Sequence, residues 1–452
     1  MKKRLITIIL SSLFLSTFAQ SPPQGDPRIY DIVESVRADR IEEDIRTLAG
    51  FGTRHTLSDT ISTTRGIGAA RRWIKSSFDQ ISTDCGDCLE VSYHRGMVRA
   101  GESRRIPDDT WIVNVMAIKR GSVHPNKYII MSGDIDSRVS DPLDGTSDSP
   151  GANDNASGMA GVIEAARVLS TYDFPTSVIF LGLSGEEQGL FGGKLLAADA
   201  KAQGWDIIGV INNDMIGNIK GIDGVIDNTT FRVFSEPTPP NSDEQQSTWN
   251  RFYGGEVDGP SRQLARYIHR MTDKYMTNLK ATMIYRLDRF GRGGHHRPFN
   301  DEGFAGVRIM ETHENYVMQH QDIRIDDGVA YGDVIEGVNF DYAAKLTAVN
   351  AIVLAAIAWA PADPGLVMIG GAVQPSTRLK WDEVEDPHLA GYKVYWRETT
   401  SPQWEYSRYV GMETDVTLKN IIIDNYLFGV ASVAKDGHES VVVYPKTLIP
   451  RR

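Results

Sequence analysis

The sequence predicts an α/β protein with a largely parallel sheet, followed by a small all-β sandwich. Three observations carry this. Continuous apolar runs such as "KYIIMSG", "TSVIFLGLS" and "DIIGVINNDMIG" alternate with segments of helical period. Such runs are the pattern of strands buried on both faces of a parallel sheet. Each run ends in acidic or polar residues rather than in a tight hairpin turn. Beyond "APADPG" at 360–365 helical periodicity stops, and "RLKWDEVEDPHLAGYKVYWRE" and "NYLFGVASVAKDGHES" alternate apolar and polar residues between turn signals.

Taken in order, residues 30–48 and 63–82 place apolar side chains at i, i+3, i+4 and read as amphipathic helices. Strand-like runs follow at 88–96 and 111–118. "SGMAGVIEAARVLSTY" sets Met159, Val162, Ile163, Ala166 and Leu169 on one helical face, and "LFGGKLLAADAKAQ" is the next helix. Helix 259–275, strands 279–286 and 306–311, and helix 332–359 complete the α/β part. Residues 346–360 are the most apolar stretch after the N-terminus and read as a buried helix rather than a span of about 20 residues. The tail, 366–452, is expected to fold by itself behind a linker.

The chain has 452 residues and a net charge of −11, which argues against nucleic-acid binding. Its start, "MKKRLITIILSSLFLSTFAQS", joins a basic segment, a short apolar run and small residues near Ala19. That is a signal-peptide pattern over 1–19, which predicts export to the periplasm, the medium or the cell surface and no membrane span after cleavage. The two cysteines, Cys85 and Cys88, form a lone CxxC. This spacing serves redox motifs, half zinc sites and local disulfides. No second pair completes a zinc site, and Cys88 opens a strand instead of a helix, so a local disulfide suits an exported chain best.

The chemistry sits at the strand ends. Asp134 and Asp136 follow one strand, Asp154 precedes a helix in "PGANDNASG", Glu186 and Glu187 follow the next strand, and Asp214 ends another in "NNDMIG". Ligands bind at this edge of open α/β sheets. Asp154 alone could be a helix cap. Five or six converging carboxylates repel one another in a poorly solvated cleft unless divalent cations lie between them.

The order of "GANDNASG", "GEEQGLFGG", "NNDMIG" and "HHRPF" resembles the co-catalytic di-zinc exopeptidases of the bacterial leucyl aminopeptidase type, over roughly residues 30–360. The resemblance implies a three-layer α/β/α fold with a mixed, largely parallel central sheet. It implies two divalent metal ions, zinc first. Asp154 would bridge them, Glu187 and His296 would complete one site, and Asp134 and Asp214 the other. Glu186 would be the general base and Asp136 a catalytic support beside the metals. Tyr316 or His320, after the last strand, would polarise the substrate. The chain departs from the family pattern twice. Asp134 stands where a histidine is expected, and His295 where an acid is expected. An all-carboxylate Asp134/Asp154/Asp214 site tilts toward manganese or magnesium. The tail resembles a fibronectin type III domain, with Trp381, Tyr392, Tyr395 and Tyr426 at its strand positions, and would bind a surface or a large substrate.

The function expected on these grounds is an exported, metal-dependent aminopeptidase acting on peptides. A carboxypeptidase or a single-zinc enzyme like glutaminyl cyclase would use the same scaffold. A non-catalytic binding protein would have no use for Glu186 beside a metal ligand.

Overall fold

The structure, a computed structural model, describes residues 21–450; the expected signal peptide lies outside them. Helices α1 (Pro27–Ser35), α2 (Ala38–Gly50) and α3 (Gly66–Asp84) lead into strands β1 (Leu89–Val98), β2 (Thr110–Lys119) and β3 (His124–Asp134). Then α4 (Gly158–Leu169), β4 (Thr176–Leu183), α5 (Phe191–Ala202) and β5 (Asp206–Asn213) alternate. They are followed by β6 (Thr230–Ser235), α6 (Glu244–Tyr253), α7 (Pro260–Tyr275), β7 (Lys280–Ile284), α8 (His296–Asp301) and β8 (Gly306–Glu311). A short hairpin, β9 (Arg324–Asp326) and β10 (Val329–Tyr331), precedes α9 (Phe340–Trp359).

One eight-stranded sheet runs β1-β2-β4-β3-β5-β8-β6-β7. The pairs β3/β4, β3/β5, β5/β8 and β6/β7 are parallel, and the others antiparallel. Every residue of β4 is buried, as its unbroken apolar run requires. Helix α9 is apolar all round and packs inside the protein, against α4 among others; it is a core helix, although long and apolar enough to span a bilayer.

Several elements differ from the sequence reading. The helix expected over 30–48 is two helices, broken at Val36 and Arg37, where the chain is extended. The break lets the Arg37 N–H and the Arg40 guanidinium reach the buried Glu164 carboxylate, at 2.8 and 2.9 Å. Helical period is continuous across the break because both halves cover the same core. The last helix starts at Phe340 instead of 332, capped by Asn339. Strand β6 and helix α6 were not foreseen. Cys85 and Cys88 are joined, S–S 2.06 Å, in the turn between α3 and β1.

Seven further strands form two small sheets: β11 (Met368–Gly370), β12 (Thr377–Lys380), β15 (Asp415–Leu418) and β17 (Thr447–Leu448) in one, and β13 (Leu389–Glu398), β14 (Tyr406–Gly411) and β16 (Tyr426–Ala434) in the other. Trp381, Tyr392, Val394 and Val430 fill the space between them. This all-β part does not hang from a loose linker. Ala360 and Pro361 are buried, and Asp363 pairs with Lys127 at 2.6 Å. The buried Asp258 carboxylate accepts from Arg266 on α7 at 2.6 Å and from Arg397 on β13 at 2.8 Å. Glu439 lies between Arg270 and Lys393, at 2.5 and 2.9 Å. Removing the tail would take Arg397 from Asp258 and Glu439 from Arg270, the costly way to disrupt buried charge.

Burial alone would raise the Glu439 carboxyl, but Arg270 and Lys393 outweigh it and hold it at about 2 against 4.5 when free. A depressed acid stabilises the fold above its free value and ceases to do so as pH falls through its folded value. Glu439→Gln should therefore cost about 3 kcal/mol at pH 7, at ~1.4 kcal/mol per pKa unit. The gap to wild type should close between about pH 4.5 and 2. Urea unfolding of both proteins at pH 7, 4 and 2.5 checks it.

Candidate metal centre at the carboxyl edge of the sheet

The acids meet because β3, β4 and β5 are parallel neighbours, so their carboxyl ends share one edge. Two buried groups shape the loops there. Arg54 donates to the carbonyls of Leu48, Ile135, Pro150 and Gly151, tying together the loops after β3 and before α4. Asp333 accepts the N–H groups of Asn153 at 2.8 Å and Asp154 at 2.6 Å. The glycines of "GANDNASG" are steric. Gly151 has φ +52°, and a Cβ there would lie 2.4 Å from Ser137. A Cβ on Gly158 would lie 2.3 Å from the Asn213 carbonyl, so α4 could not start so close to β5.

Asp154, Glu187 and His320 converge. His320 Nε2 is 3.0 Å from Asp154 Oδ2 and 2.8 Å from Glu187 Oε1. Arg138 donates to Glu187 Oε2 at 2.7 Å and to His320 Nδ1 at 2.8 Å, and Gln319 donates to Asp154 Oδ2 at 3.1 Å. Burial disfavours the imidazolium, yet Glu187 and Asp154 draw His320 up to about 9. Two carboxylates and an imidazole meet there in an arrangement that could hold a cation. Asp136 accepts the backbone N–H groups of Glu186 at 3.2 Å and Glu187 at 3.1 Å, with Thr56 donating to it at 3.0 Å. It orients both glutamates through their backbone.

The second set of acids is engaged differently. Asp134 Oδ1 is 2.5 Å from His295 Nδ1, and its Oδ2 accepts from Asn155 at 2.7 Å. Asp214 Oδ2 lies 3.0 Å from the guanidinium of Arg308, which is buried and also paired with Asp288 at 3.0 Å. Asp214 Oδ1 is buried without a partner among the described residues, as is His295 Nε2. Burial pushes Asp214 up to about 8; Arg308 opposes this, while Asp134 and Asp154 add to it. Burial, then Glu187 and Asp214, also raise Glu186 well above the ordinary carboxyl range.

His296, expected beside Glu187, is elsewhere. Its Nε2 faces the Leu287 carbonyl at 2.8 Å, with Asp288 at 3.7 Å, and His320 stands in its place in the triad. Adjacent residues entering α8 point about 100° apart, so His295 faces the acids and His296 turns away. Tyr316 is 55 % exposed and lies outside the cleft lining. Sequence reasoning missed Arg54, Arg138, Arg308, Gln319 and Asp333. Arg138 stands two residues after Asp136 and Gln319 directly before His320, each beside a candidate already named.

A buried carboxylate–imidazole triad beside a further glutamate, in a cleft of about 580 Å³ at the carboxyl edge of an α/β sheet, defines a metallohydrolase type of site. The model of peptidase family M28 matches residues 114–324. The chain is 36% identical, over 93% of its length and 98% of the relative's, to a "probable zinc metalloprotease" of Pyrenophora tritici-repentis. It is 40% identical to one from Leptosphaeria maculans, over 94% and 98% of the two chains. The chain therefore belongs to the M28 peptidase family and is a zinc metallopeptidase. The solved LapA aminopeptidase of Legionella pneumophila superposes with a TM-score of 0.51 at 17% identity, over 78% of this chain and 79% of that one. LapB from the same organism gives 0.53 at 17%, over 74% and 76%. At that identity the likeness concerns the fold, and it agrees with the three-layer, mixed-sheet expectation. Two carboxylates and a histidine are a donor set that fits zinc.

Asp333→Ala would leave the two N–H groups of Asn153 and Asp154 unmatched inside the protein. At about 1–3 kcal/mol for each orphaned group, the expected loss is at least about 2 kcal/mol, read by urea unfolding at pH 7.

Proposed function

We propose that the chain is an exported aminopeptidase holding one zinc ion at Asp154, Glu187 and His320, with Glu186 as general base. The observation that carries this is the mixed donor triad on the cleft floor, with Glu186 next to its own member Glu187. When bound, zinc polarises a scissile carbonyl and acidifies a water. Glu186 takes that water's proton and returns it to the leaving amine. Asp136 keeps the Glu186–Glu187 backbone in place. Arg138 stays on Glu187; with Nε2 of His320 on zinc its Nδ1 would carry the proton, so the Arg138 contact there would have to give way.

One ion is proposed instead of two because positive charge already lies beside the second position. Arg308 contacts Asp214, and both Asp134 oxygens are engaged. Like unit charges at 4 Å repel by about 4 kcal/mol at an effective dielectric of 20, and a divalent ion doubles that. Asp214 lines the cleft, and an acid there would draw the singly charged α-ammonium of a substrate toward the metal, which favours attack at the N-terminus. The signal-like start and the Cys85–Cys88 bond support export. The fibronectin-type reading of the tail rests on its two-sheet arrangement and Trp381.

Zinc titration should give one tight equivalent per chain. His320→Ala should lose it, while Asp214→Asn should keep it and raise KM. Two tight equivalents, one of them lost in Asp214→Asn, would restore the two-metal reading.

Glu186→Gln should retain zinc but lower turnover on aminoacyl-anilides by roughly 10²–10⁴-fold. A single zinc also suits cyclisation of N-terminal glutamine. Release of ammonia from a glutaminyl peptide, with no release of amino acids, would decide for that chemistry.

A further inference from the structure

The cleft wall carries charge opposite to the whole chain. Of the eighteen residues lining it, six are Arg105, Arg138, Lys194, Arg289, Arg292 and Arg297, in a protein of net charge −11. They come from separate segments: the loop between β1 and β2, the loop after β3, the first turn of α5, and the stretch from β7 into α8. Two serve the structure. Arg138 is held by Glu187, and Arg289 by Glu314 at 2.9 Å.

The other four are exposed and poorly matched. Among the described residues, the Arg105 side chain donates only to the Glu187 carbonyl. The Lys194 ammonium lies 5.1 Å from the centre of the Phe191 ring and forms no ion pair among the described residues. The Arg292 side chain has no hydrogen-bond or ion-pair partner among the described residues. Arg297 reaches Asp301 only at 3.9 Å. The acids of the cleft lie on its floor, where the triad, Glu186 and Arg308 account for them; Asp301 is the exception. Four under-compensated cations around the cleft raise the local concentration of anions and offer charge-assisted hydrogen bonds. The anionic groups of a peptide are its carboxylates.

We infer that this rim selects peptides bearing a carboxylate close to the scissile bond, either an aspartate or glutamate side chain or the free C-terminus of a short peptide. The inference rests on the peptidase reading and names its substrate class. A substrate would lie with its ammonium toward Asp214 and its carboxylate among Lys194, Arg292 and Arg297.

Binding separates this from catalysis. Zinc-loaded Glu186→Gln protein is titrated calorimetrically with Ala-Glu-Ala-amide, Ala-Gln-Ala-amide and Ala-Gln-Ala with a free C-terminus. At least one carboxylate-bearing peptide should bind tenfold or more tightly than the neutral amide. That advantage should shrink from 50 to 500 mM salt and fall toward unity when Arg292→Glu and Arg297→Glu are added. Whichever peptide gains identifies the source of the carboxylate. Equal binding of all three, or an advantage unchanged by the two charge reversals, overturns the inference. Wild-type hydrolysis of Ala-Gln-Ala-amide is measured separately. Its absence would count against the peptidase reading, while the binding comparison would still decide the role of the rim.

Discussion

Six carboxylates, Asp134, Asp136, Asp154, Glu186, Glu187 and Asp214, share one poorly hydrated sheet edge, and the rest of the site is arranged around keeping them there. Buried acids stay ionised only where opposite charge or N–H groups face them. Asp136 is satisfied by two backbone amides and Thr56. Asp134 has His295 and Asn155, Glu187 has Arg138, and Asp214 has Arg308 on one oxygen. The groups left most in need of compensation are Glu186 and Asp214. These are also the groups to which the proposed reaction gives work, one as proton carrier and one as the acid that draws an ammonium toward the metal.

The same logic explains why the all-β tail belongs to the enzyme's architecture. Arg397 of the tail and Arg266 of α7 share Asp258. The start of α7 then holds β8, through Ser261 accepting the Gly306 N–H at 3.1 Å. Two residues on, β8 carries Arg308 into the acidic edge. Buried polar contacts at Asp258 and Ser261, joined through the backbones of α7 and β8, thus link the sandwich to the cation beside Asp214. Such networks act as positioning devices whose members are costly to remove singly.

Asp134 and His295, the two positions at which the motifs depart from the pattern they resemble, touch at 2.5 Å and form a hydrogen-bonded carboxylate–imidazole unit. Asn155 holds the other Asp134 oxygen, and Arg308 lies against Asp214; both contacts support the single-ion proposal.

The sequence by itself determined the class of fold, the sheet edge at which the acids gather, the buried character of the last helix and the acidic members of the site. Those features are local: strand runs, helical period and motif glycines are written in neighbouring residues. Tertiary structure decided which histidine joins Asp154 and Glu187. His295 and His296 are adjacent in the chain, but one residue of helical rotation, about 100°, turns them apart, and His320 arrives from a loop beyond β8. Only the folded chain showed that Arg308, on a strand that reads as pure core, projects into the acids, that Asp333 braces the Asp154 loop from 179 residues away, and that the tail is clamped to α7. Long-range charge pairing leaves no periodic trace in sequence, because its partners need only meet in space.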